Sequence, residues 1–595
     1  MSLIVQKFGG TSVANAERIR AAARRALRAQ QQGHQVVMVV SAMGKNTDML
    51  VDLAGQVCDD PPAREMDMLL STGEQVSVAL VAMAIHALGG KAVSLTGGQI
   101  GVRTDSSHTK ARIQSISTDR IRRLLGEGNV VIAAGFQGVD HDLNITTLGR
   151  GGSDTSAVAL AAVLGAEMCE IYTDVDGVFT TDPRQVADAR KMSNVSHDEM
   201  LELASLGAGV MHSRSIEFGK KFNVPIHVRN SGVFTDEPGS IIGPIAESDS
   251  RAVSGCALTR AEARVTVAGV PDQPGVSLTI FESLAAANVA VDMIMQTAGY
   301  EGRADISFTV VENDLHRALE AVGQTAEEVG AETISHESNV SKVSVVGLGM
   351  ASQSGVADRM FRALAEADIN IGAITTSEIK VSCLVQREHG LEALRAVHAE
   401  FELGLPPQQR ASFEDSLNAA RKAKESDALA VVSRLQAMED LTIHGVQLDD
   451  SQSLVTLTDV PDNPGIAADI FEGVAAKGIV VDMIVQAIGA DGKNDLSFTV
   501  PKGAGQKAAG AAENVLKKLG GDVEIDQDIA ILSVTGVGIR SHTGVGLRMF
   551  RGLSQAGINV ELVSTSEVKV NVVVKGTKGG DGLAALEEAF ADVIG

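Results

Sequence analysis

The stretch TVAGVPDQPG at residues 266–275 returns as TLTDVPDNPG at residues 456–465. Asp272 of the first copy corresponds to Asp462 of the second, a spacing of 190 residues that holds from Gly255/Gly445 through Phe308/Phe498. A second pair, SVVGLGMASQSGVADRMF (344–361) and SVTGVGIRSHTGVGLRMF (533–550), follows at a spacing of 189 residues. No such repeat precedes residue 250. The sequence therefore predicts an unrepeated N-terminal domain and a duplicated C-terminal half.

Each repeat has the pattern strand, PDxPG turn, helix, strand, strand, helix. This order predicts a ferredoxin-like module of the βαββαβ type, and the modules resemble ACT domains. We expect four of them, at 262–335, 340–403, 452–523 and 528–595. A linker, partly helical, is predicted at 404–445.

Short runs rich in Val and Ile alternate with helical patterns up to residue 245. Such runs include Val36–Val40 and Val130–Ala134, which are apolar throughout, and Leu3–Phe8, which is apolar except at Gln6 and Lys7. They predict an α/β domain over 1–245, with a mostly parallel sheet covered by helices on both faces. Ligands bind such sheets at the carboxyl ends of the strands, where this chain has its glycines.

The first strand leads into Lys7-Phe8-Gly9-Gly10-Thr11-Ser12. Two glycines allow close backbone approach, Thr11 or Ser12 is expected to cap the next helix, and Lys7 adds a point charge, so the loop suits phosphate. The plainer alternative is a tight turn. No GxxxxGK[ST] loop is present.

Three further loops carry polar groups. Ser71-Thr72-Gly73-Glu74 is predicted to place a carboxylate at a helix start, where a simple cap is the alternative. The loop 147–155 reads TLGRGGSDT and encloses an arginine between glycines, where its stem has little to pack against. The acidic stretch 172–184 is either a surface loop or a site for a nucleotide.

Together the motifs KFGGTS, SAMG, STGE, TLGRGGSDTSA and YTDVDGV resemble those of the aspartate kinase family, in family order and spacing. The resemblance covers the whole chain, because the family also carries C-terminal ACT domains. It implies transfer of a phosphoryl group from ATP, with Mg²⁺, to the β-carboxylate of L-aspartate. The product would be 4-phospho-L-aspartate, the first intermediate towards lysine, threonine and methionine.

The resemblance also assigns residues. Lys7 would stabilise the transferring phosphoryl group and Asp154 would organise this lysine. Arg150 would bind the α-carboxylate bidentately, and Glu74 would pair with the α-ammonium. The implied ATP site comprises Lys7, Phe8, Gly9, Gly10, Ser41, Thr173, Asp174, Phe179 and Arg184. The implied substrate site comprises Thr47, Glu74, Arg150, Gly151, Gly152, Ser153 and Asp154, and the protein alone is expected to supply no metal site.

In the ACT modules, the resemblance implies amino-acid effectors, lysine and/or threonine, at seams between modules. An Asp beside a Pro-Gly turn suits an ammonium and a carboxylate; the alternative is that PDxPG only ends a strand. The first site is predicted to use Asp272, Gly275, Ser277 and Gln296, faced by Asn370 and Ile371. The second is predicted to use Asp462, Gly465, Ala467 and Gln486, faced by Asn559 and Val560.

Two other functions stay open at this point. GRGGSD-like loops also occur in kinases for glutamate, acetylglutamate or nucleoside monophosphates. A non-catalytic amino-acid sensor is the second possibility, opposed by the presence of Lys7, Arg150 and Asp154. His197-Asp198-Glu199 and His212-Ser213-Arg214 lack metal-ligand spacing and are interpreted as structural.

Composition narrows the class of protein. The 595 residues carry a net charge of −24, which argues against nucleic acid or an anionic membrane as partner. The four cysteines are far apart and predict reduced thiols in a cytoplasmic protein. No signal peptide and no apolar run of about 20 residues are expected. Exposed edges of the ACT sheets predict a homo-oligomer.

Overall fold

The computed structural model describes residues 2–207, 210–233, 238–248, 250–296, 302–426, 438–488, 493–539 and 544–594. The chain divides into two compact units. The first comprises Met1–Phe179, Lys191–Ser248 and Gln408–Asp440. The second comprises Thr180–Arg190, Asp249–Pro407 and Leu441–Gly595.

The first unit is built on a parallel sheet. Its strands are β1 (Leu3–Phe8), β2 (Gln35–Val40), β3 (Ala92–Leu95), β4 (Val102–Thr104), β5 (Ile113–Ile116), β6 (Val130–Ala134), β7 (Gln137–Val139), β8 (Ile145–Thr147), β9 (Met168–Thr173), β10 (Asn194–Ser196), β11 (Ile226–Asn230) and β12 (Ser240–Gly243). Eight of them form one sheet in the order β10-β12-β11-β9-β1-β2-β6-β3, in which the β11–β12 pair is antiparallel. The smaller sheet has the order β5-β4-β7-β8. Every residue of β1 and β6 is buried, so the predicted parallel sheet covered on both faces is confirmed.

Helices cover this sheet. They are α1 (Ala16–Gln31), α2 (Asn46–Val57), α3 (Ala63–Ala87), α4 (Gly97–Ile100), α5 (Asp119–Gly126), α6 (Gly152–Leu164), α7 (His197–Ser205), α8 (Ser213–Lys221) and a linker helix (Phe413–Ser426), with a 3-10 turn at Gly10–Val13. The cap of α1 is Asn15, which accepts a hydrogen bond from the Arg18 amide. Thr11 and Ser12 do not cap it as predicted, because the 3-10 turn intervenes and the Ser12 hydroxyl donates to the Tyr172 carbonyl.

Helix α3 also differs from the prediction. It begins at Ala63, so Glu74 lies in its interior and not at a helix start. Gly73 is a packing residue, since a Cβ there would lie 2.8 Å from the Cβ of Ala42. Among the described residues, α3 is the one helix long and apolar enough to cross a membrane by length and composition, and half of its apolar window is buried. The expectation that no segment would reach this length is therefore wrong.

The second unit contains the repeats. Its strands are β13 (Gly255–Pro271), β14 (Ile294–Gln296), β15 (Arg303–Val311), β16 (Thr333–Val346), β17 (Ala373–Ser377), β18 (Lys380–Gln386), β19 (Thr442–Asp449), β20 (Gln452–Pro461), β21 (Ile484–Ile488), β22 (Lys493–Pro501), β23 (Asp522–Asp526), β24 (Ile529–Val537), β25 (Leu562–Thr565) and β26 (Lys569–Lys575). Its helices are α9 (Val276–Ala286), α10 (Leu315–Val329), α11 (Val356–Glu366), α12 (Gly390–Glu400), α13 (Ile466–Ala475), α14 (Gly505–Leu516), α15 (Gly544–Gln555) and α16 (Gly579–Ala589), and short 3-10 turns lie at Glu312–Asp314, Leu348–Ser352, Arg387–His389, Lys502–Ala504 and Gly576–Lys578.

Four ferredoxin-like modules result, here called modules 1 to 4 in chain order. Modules 1, 2 and 3 share a sheet of order β14-β15-β13-β16-β18-β17-β21-β22-β20-β23, and module 4 has the sheet β19-β24-β26-β25. Strand β19 pairs with β24, so the predicted linker boundary at residue 445 falls inside a strand of module 4. The start of β13 likewise pairs with the end of β16 beside module 2. Modules 1 and 3 are thus insertions after the first strand of modules 2 and 4.

Modules of different repeats share hydrophobic cores. One core joins modules 1 and 4, and Phe281 stacks on Phe550 with ring centroids 5.5 Å apart. The other joins modules 2 and 3, where Phe361 lies 5.5 Å from Phe471. The helical faces therefore meet across repeats, which defines a 1–4 seam and a 2–3 seam.

Candidate active site

An ion pair lies at the carboxyl end of β1. The Lys7 ammonium is 2.6 Å from the Asp154 carboxylate, and both side chains are largely buried. Asp154 lies in the first turn of α6, where a carboxylate complements the helix dipole. The resemblance to aspartate kinases implied this pairing of Lys7 with Asp154.

The glycine turn after β1 packs against the turn after β2. The Gly9 amide donates to the Tyr172 carbonyl at 3.3 Å, and a Cβ at Gly9 would lie 3.5 Å from the Lys7 ammonium. A Cβ at Gly10 would lie 2.7 Å from the Ala42 carbonyl. A side chain would therefore fit at Gly9, whereas Gly10 is required for the close backbone approach to Ala42. The Ser41 amide donates to the Phe8 carbonyl at 3.1 Å, which fixes the second turn.

The side chain of Phe8 lies away from Lys7. Its ring is buried and stacks on Tyr172 with centroids 4.7 Å apart, on the face of the sheet opposite Lys7. Thr47 lies in the first turn of α2 and is half-buried.

Glu74 is a buried carboxylate with one oxygen left over. Its Oε1 accepts a hydrogen bond from the Ala42 amide at 3.1 Å. Its Oε2 is buried and has no partner among the described residues. Burial raises the pKa of Glu74 to about 7, and the Ala42 amide only partly opposes this. The site therefore favours a cation that would pair with the ionised carboxylate.

The glycine-rich loop 149–152 presents Arg150 to solvent. Gly149 and Gly151 have φ values of 74° and 75°, a left-handed conformation that glycine adopts without strain. A Cβ at Gly151 would lie 2.3 Å from the Cβ of His212. Arg150 is exposed and pairs with no carboxylate among the described residues, which leaves its guanidinium available. Gly152 and Ser153 start α6, and the Ser153 side chain packs beside Gly135.

Two residues that the sequence analysis did not assign hold this loop. Asp67 is fully buried on α3 and accepts hydrogen bonds from the Thr147 hydroxyl and, at 3.0 Å, from the Thr109 amide. His108 Nδ1 lies 2.7 Å from the same carboxylate. Arg214 donates to the Leu148 carbonyl and, at 3.0 Å, to the Ala111 carbonyl.

Two histidines that the sequence analysis interpreted as structural are buried or half-buried. His212 caps α8 and packs under Gly151, and burial lowers its pKa. His197 is buried, with its pKa lowered to about 4. The structural interpretation of both segments agrees with these contacts, although Arg214 supports the loop that carries Arg150.

The other predicted nucleotide residues, Thr173, Asp174 and Phe179, lie at the end of β9 or in the loop that follows it. Thr173 donates from its hydroxyl to Asp174 at 3.2 Å, and its carbonyl accepts from the Ser231 amide at 2.7 Å. Phe179 is half-buried and forms a bridge with Lys191. The loops after β9 and β11 are thus hydrogen-bonded to each other at the carboxyl ends of these two strands.

Arg184 belongs to the segment Thr180–Arg190, which folds with the second unit. Its guanidinium pairs bidentately with Asp182, with both N–O distances at 2.9 Å. These hydrogen bonds lower the pKa of Asp182 to about 2.

At the 2–3 seam, Asp462 accepts hydrogen bonds at 2.9 Å from both Asn370 and Asn494. Gln486 donates to the Ile371 carbonyl at 3.1 Å. Gly465 and Ala467 line the same small cavity of about 20 Å³, which suffices for a single water. A larger cavity of about 490 Å³ lies elsewhere at this seam, between Ser354 and Asp482.

At the 1–4 seam, Asn559 donates to Asp272 at 2.7 Å and Gln296 donates to the Val560 carbonyl at 2.5 Å. The Ser277 hydroxyl donates to Gln296 at 3.0 Å, beside the left-handed Gly275.

The predicted facing partners are therefore wrong and must be exchanged. Asp272 faces Asn559, and Asp462 faces Asn370. The prediction paired modules that follow each other in sequence. Those modules are instead joined by their long strands, which leaves their helices to pack on the other repeat.

Comparison with known proteins agrees with this architecture. Residues 2–230 match the amino acid kinase family, and residues 265–325, 343–401 and 532–590 match an ACT-domain model. The aspartokinase of Pseudomonas aeruginosa is 51% identical over 412 residues, which cover 69% of this chain and 100% of that protein.

The chain belongs to the aspartokinase family.

Within that family, the crystal structure of the aspartate kinase from Synechocystis is 39% identical in sequence, with a TM-score of 0.52. The match covers 99% of this chain and 98% of the Synechocystis chain. Aspartokinase III of E. coli, solved with aspartate and ADP, covers 67% of this chain and 99% of its own at 23% identity and a TM-score of 0.57. At that identity the second likeness shows the fold alone. This member of the aspartokinase family is an enzyme, an aspartate kinase that phosphorylates a carboxyl group.

Proposed function

We propose that this enzyme transfers the γ-phosphoryl group of ATP to the β-carboxylate of L-aspartate, giving 4-phospho-L-aspartate. The observation that carries the proposal is the buried Glu74 carboxylate, whose Oε2 has no partner among the described residues. Such a group calls for the α-ammonium of an amino acid, which acetylglutamate and nucleoside monophosphates lack. The product would be the first intermediate towards lysine, threonine and methionine.

The residues of the site have complementary roles in this proposal. Lys7, held 2.6 Å from Asp154, neutralises charge on the transferring phosphoryl group. The turns at Gly9, Gly10 and Ser41 offer amides and a hydroxyl to the phosphates, and the residues after β9 bind the rest of the nucleotide. Arg150 binds the α-carboxylate in a fork, and Thr47 hydrogen-bonds to the substrate.

The chemistry needs positioning more than proton transfer. A β-carboxylate is already ionised at neutral pH, so the enzyme needs no general base. Holding two anions in line and screening their repulsion supplies most of the rate. Among the described residues no group of three His, Cys, Asp or Glu side chains is placed to hold a metal ion. In this proposal Mg²⁺ enters with ATP and adds charge neutralisation beside Asp154.

Regulation by lysine and/or threonine is proposed at the two seams. Each seam contains one Asp–Asn hydrogen bond and one hydrogen bond from a Gln side chain to a backbone carbonyl. When an amino acid binds, these side chains would hydrogen-bond to it in place of their present partners. The cavity of about 20 Å³ at Asp462 means that an effector must open the 2–3 seam in order to bind. An effector that favours the opened arrangement would shift the enzyme between states. Assembly into a homo-oligomer through the modules, and a cytoplasmic location, belong to the same proposal.

The test is formation of acyl phosphate from Mg-ATP and L-aspartate, trapped with hydroxylamine, alone and with lysine, threonine or both. We expect turnover with aspartate that the effectors suppress. Preference for L-glutamate in a competition assay would move the proposal to another amino-acid carboxylate. Binding of amino acids without turnover would favour the non-catalytic sensor.

A further inference from the structure

A segment just before module 4 is anchored in the kinase unit. The Met438 amide donates to the Gln114 carbonyl at 3.3 Å, beside β5. Lys221 donates from its ammonium to the Asp440 carbonyl at 2.8 Å. Between these two contacts, Glu439 extends into the unit and accepts a hydrogen bond from the Ile113 amide. The backbone then continues to Thr442, the first residue of β19.

Glu439 forms a bidentate ion pair with Arg214. Nε of the guanidinium lies 2.8 Å from Oε1, and Nη2 lies 2.8 Å from Oε2. The Glu439 side chain is 8% exposed and that of Arg214 16%. Burial raises the pKa of Glu439, and the charge of Arg214 opposes this rise. A buried pair of this geometry is costly to break from one side, because the remaining charge is left uncompensated.

The same guanidinium supports the loop that carries Arg150. Arg214 donates to the carbonyl of Leu148, the residue before Gly149, and at 3.0 Å to that of Ala111. The Ala111 amide in turn donates to the Thr147 carbonyl at 2.9 Å. The Arg214 side chain is thus contacted by Leu148, Ala111 and Glu439. Among the described residues, Glu439 supplies the only carboxylate paired with Arg214. Without that carboxylate, the guanidinium of Arg214 loses the bidentate partner that fixes its orientation.

We infer that Glu439 is a positioning residue for aspartate binding and the link between module 4 and the active site. It orients Arg214, and Arg214 holds the loop from which Arg150 reaches the substrate. Only Asp440 and Leu441 separate Glu439 from β19, so a displacement of module 4 reaches this loop along the backbone. An effector at the 1–4 seam would then weaken aspartate binding by withdrawing Glu439. The inference rests on the proposed role of Arg150.

The decisive variant is Glu439→Gln in the full chain. The amide keeps the shape of the side chain and removes its charge. We expect KM for aspartate to rise about tenfold, with kcat and KM for ATP within about twofold of wild type. The effector acting at the 1–4 seam should raise KM for aspartate less than twofold in this variant. In an Arg214→Gln background, adding Glu439→Gln should change KM for aspartate no further, since both act through one side chain.

The matched control is Glu167→Gln. Glu167 pairs with Arg421 of the linker helix, another ion pair between the linker and the kinase unit, and neither residue touches the loop at 149–152. This variant should keep the wild-type KM for aspartate and the wild-type inhibition. Equal effects of the two variants would overturn the inference and assign Glu439 to general stability.

Two further results would also overturn it. One is an unchanged KM for aspartate in Glu439→Gln; the other is a parallel rise in both KM values with a fall in kcat. Failure of the proposed function would give different results. Either the wild type would form no acyl phosphate, or the Arg150→Ala variant would keep a normal KM for aspartate. A wild type that forms acyl phosphate but responds to neither effector would overturn the link to module 4.

Discussion

Aspartate binding is expected to release a proton from Glu74 below pH 7. In the free enzyme, burial raises the pKa of this carboxyl from 4.5 to about 7, and one oxygen lacks a partner among the described residues. The substrate ammonium pairs only with the ionised form. Because the pKa is raised, the free enzyme carries the proton below pH 7 and binding must expel it. The apparent Kd for aspartate should therefore rise tenfold for each pH unit below 7, and about thirtyfold between pH 8 and pH 5.5.

In the free enzyme, the ionised form of Glu74 is strongly disfavoured by burial. The difference between 4.5 and about 7 corresponds to a cost of about 3 kcal/mol for the unpaired, ionised carboxylate. An incoming ammonium relieves this cost, which contributes to aspartate affinity above pH 7. Glu74→Gln removes both the charge and its titration, so its Kd for aspartate should be weaker by about a hundredfold at pH 8 and flat from pH 5.5 to 8.

Isothermal titration calorimetry of aspartate at pH 6, in two buffers of different protonation enthalpy, measures the release directly. About 0.9 proton per site is expected for the wild type and none for Glu74→Gln. Glu199→Gln serves as a control, because Glu199 is equally buried but is satisfied by the amide and hydroxyl of Ser196. Zero release by the wild type, or equal release by Glu74→Gln, would refute the reasoning.

Three other outcomes follow from the geometry. Lys7→Ala should lower kcat by about a thousandfold in the acyl-phosphate assay, while calorimetry still detects effector binding; near-normal kcat would remove Lys7 from the catalytic site. Gly151→Ala should raise KM for aspartate and cost about 2 kcal/mol of stability, since φ is 75° and the new methyl meets His212 at 2.3 Å; an unchanged melting temperature and KM would contradict this packing. Asp272→Ala and Asn559→Ala should relax inhibition equally at constant kcat, because they share one hydrogen bond; clearly different inhibition constants would place them in separate sites.

Elements buried on both faces were predictable from local sequence. Strand β1 has the predicted bounds, Leu3–Phe8, because a short, mostly apolar run in an α/β domain is favoured as a strand buried on both faces of a parallel sheet. The ion pair between Lys7 and Asp154 followed from family motifs, and their strand-end positions explain the contact.

Elements that depend on a distant contact were not predictable. Gly73 suggested a helix start, and only its packing against Ala42 shows why a glycine lies inside α3. Arg214 looked inert because its partners, Leu148 and Glu439, are remote in sequence. The sequence offered one signal only, the place of Arg214 two residues after His212 in the short polar segment 212–214.

The sequence by itself determined the two repeats, the α/β kinase domain and the residues at its glycine-rich loops, because periodicity and short motifs are local properties of the chain. The tertiary structure alone decided which modules meet. Asp272 faces Asn559 and Asp462 faces Asn370 because modules of one repeat share their long strands. That sharing leaves the apolar helical faces to be buried against the other repeat, and burial of apolar surface depends on the whole fold and not on neighbours in sequence.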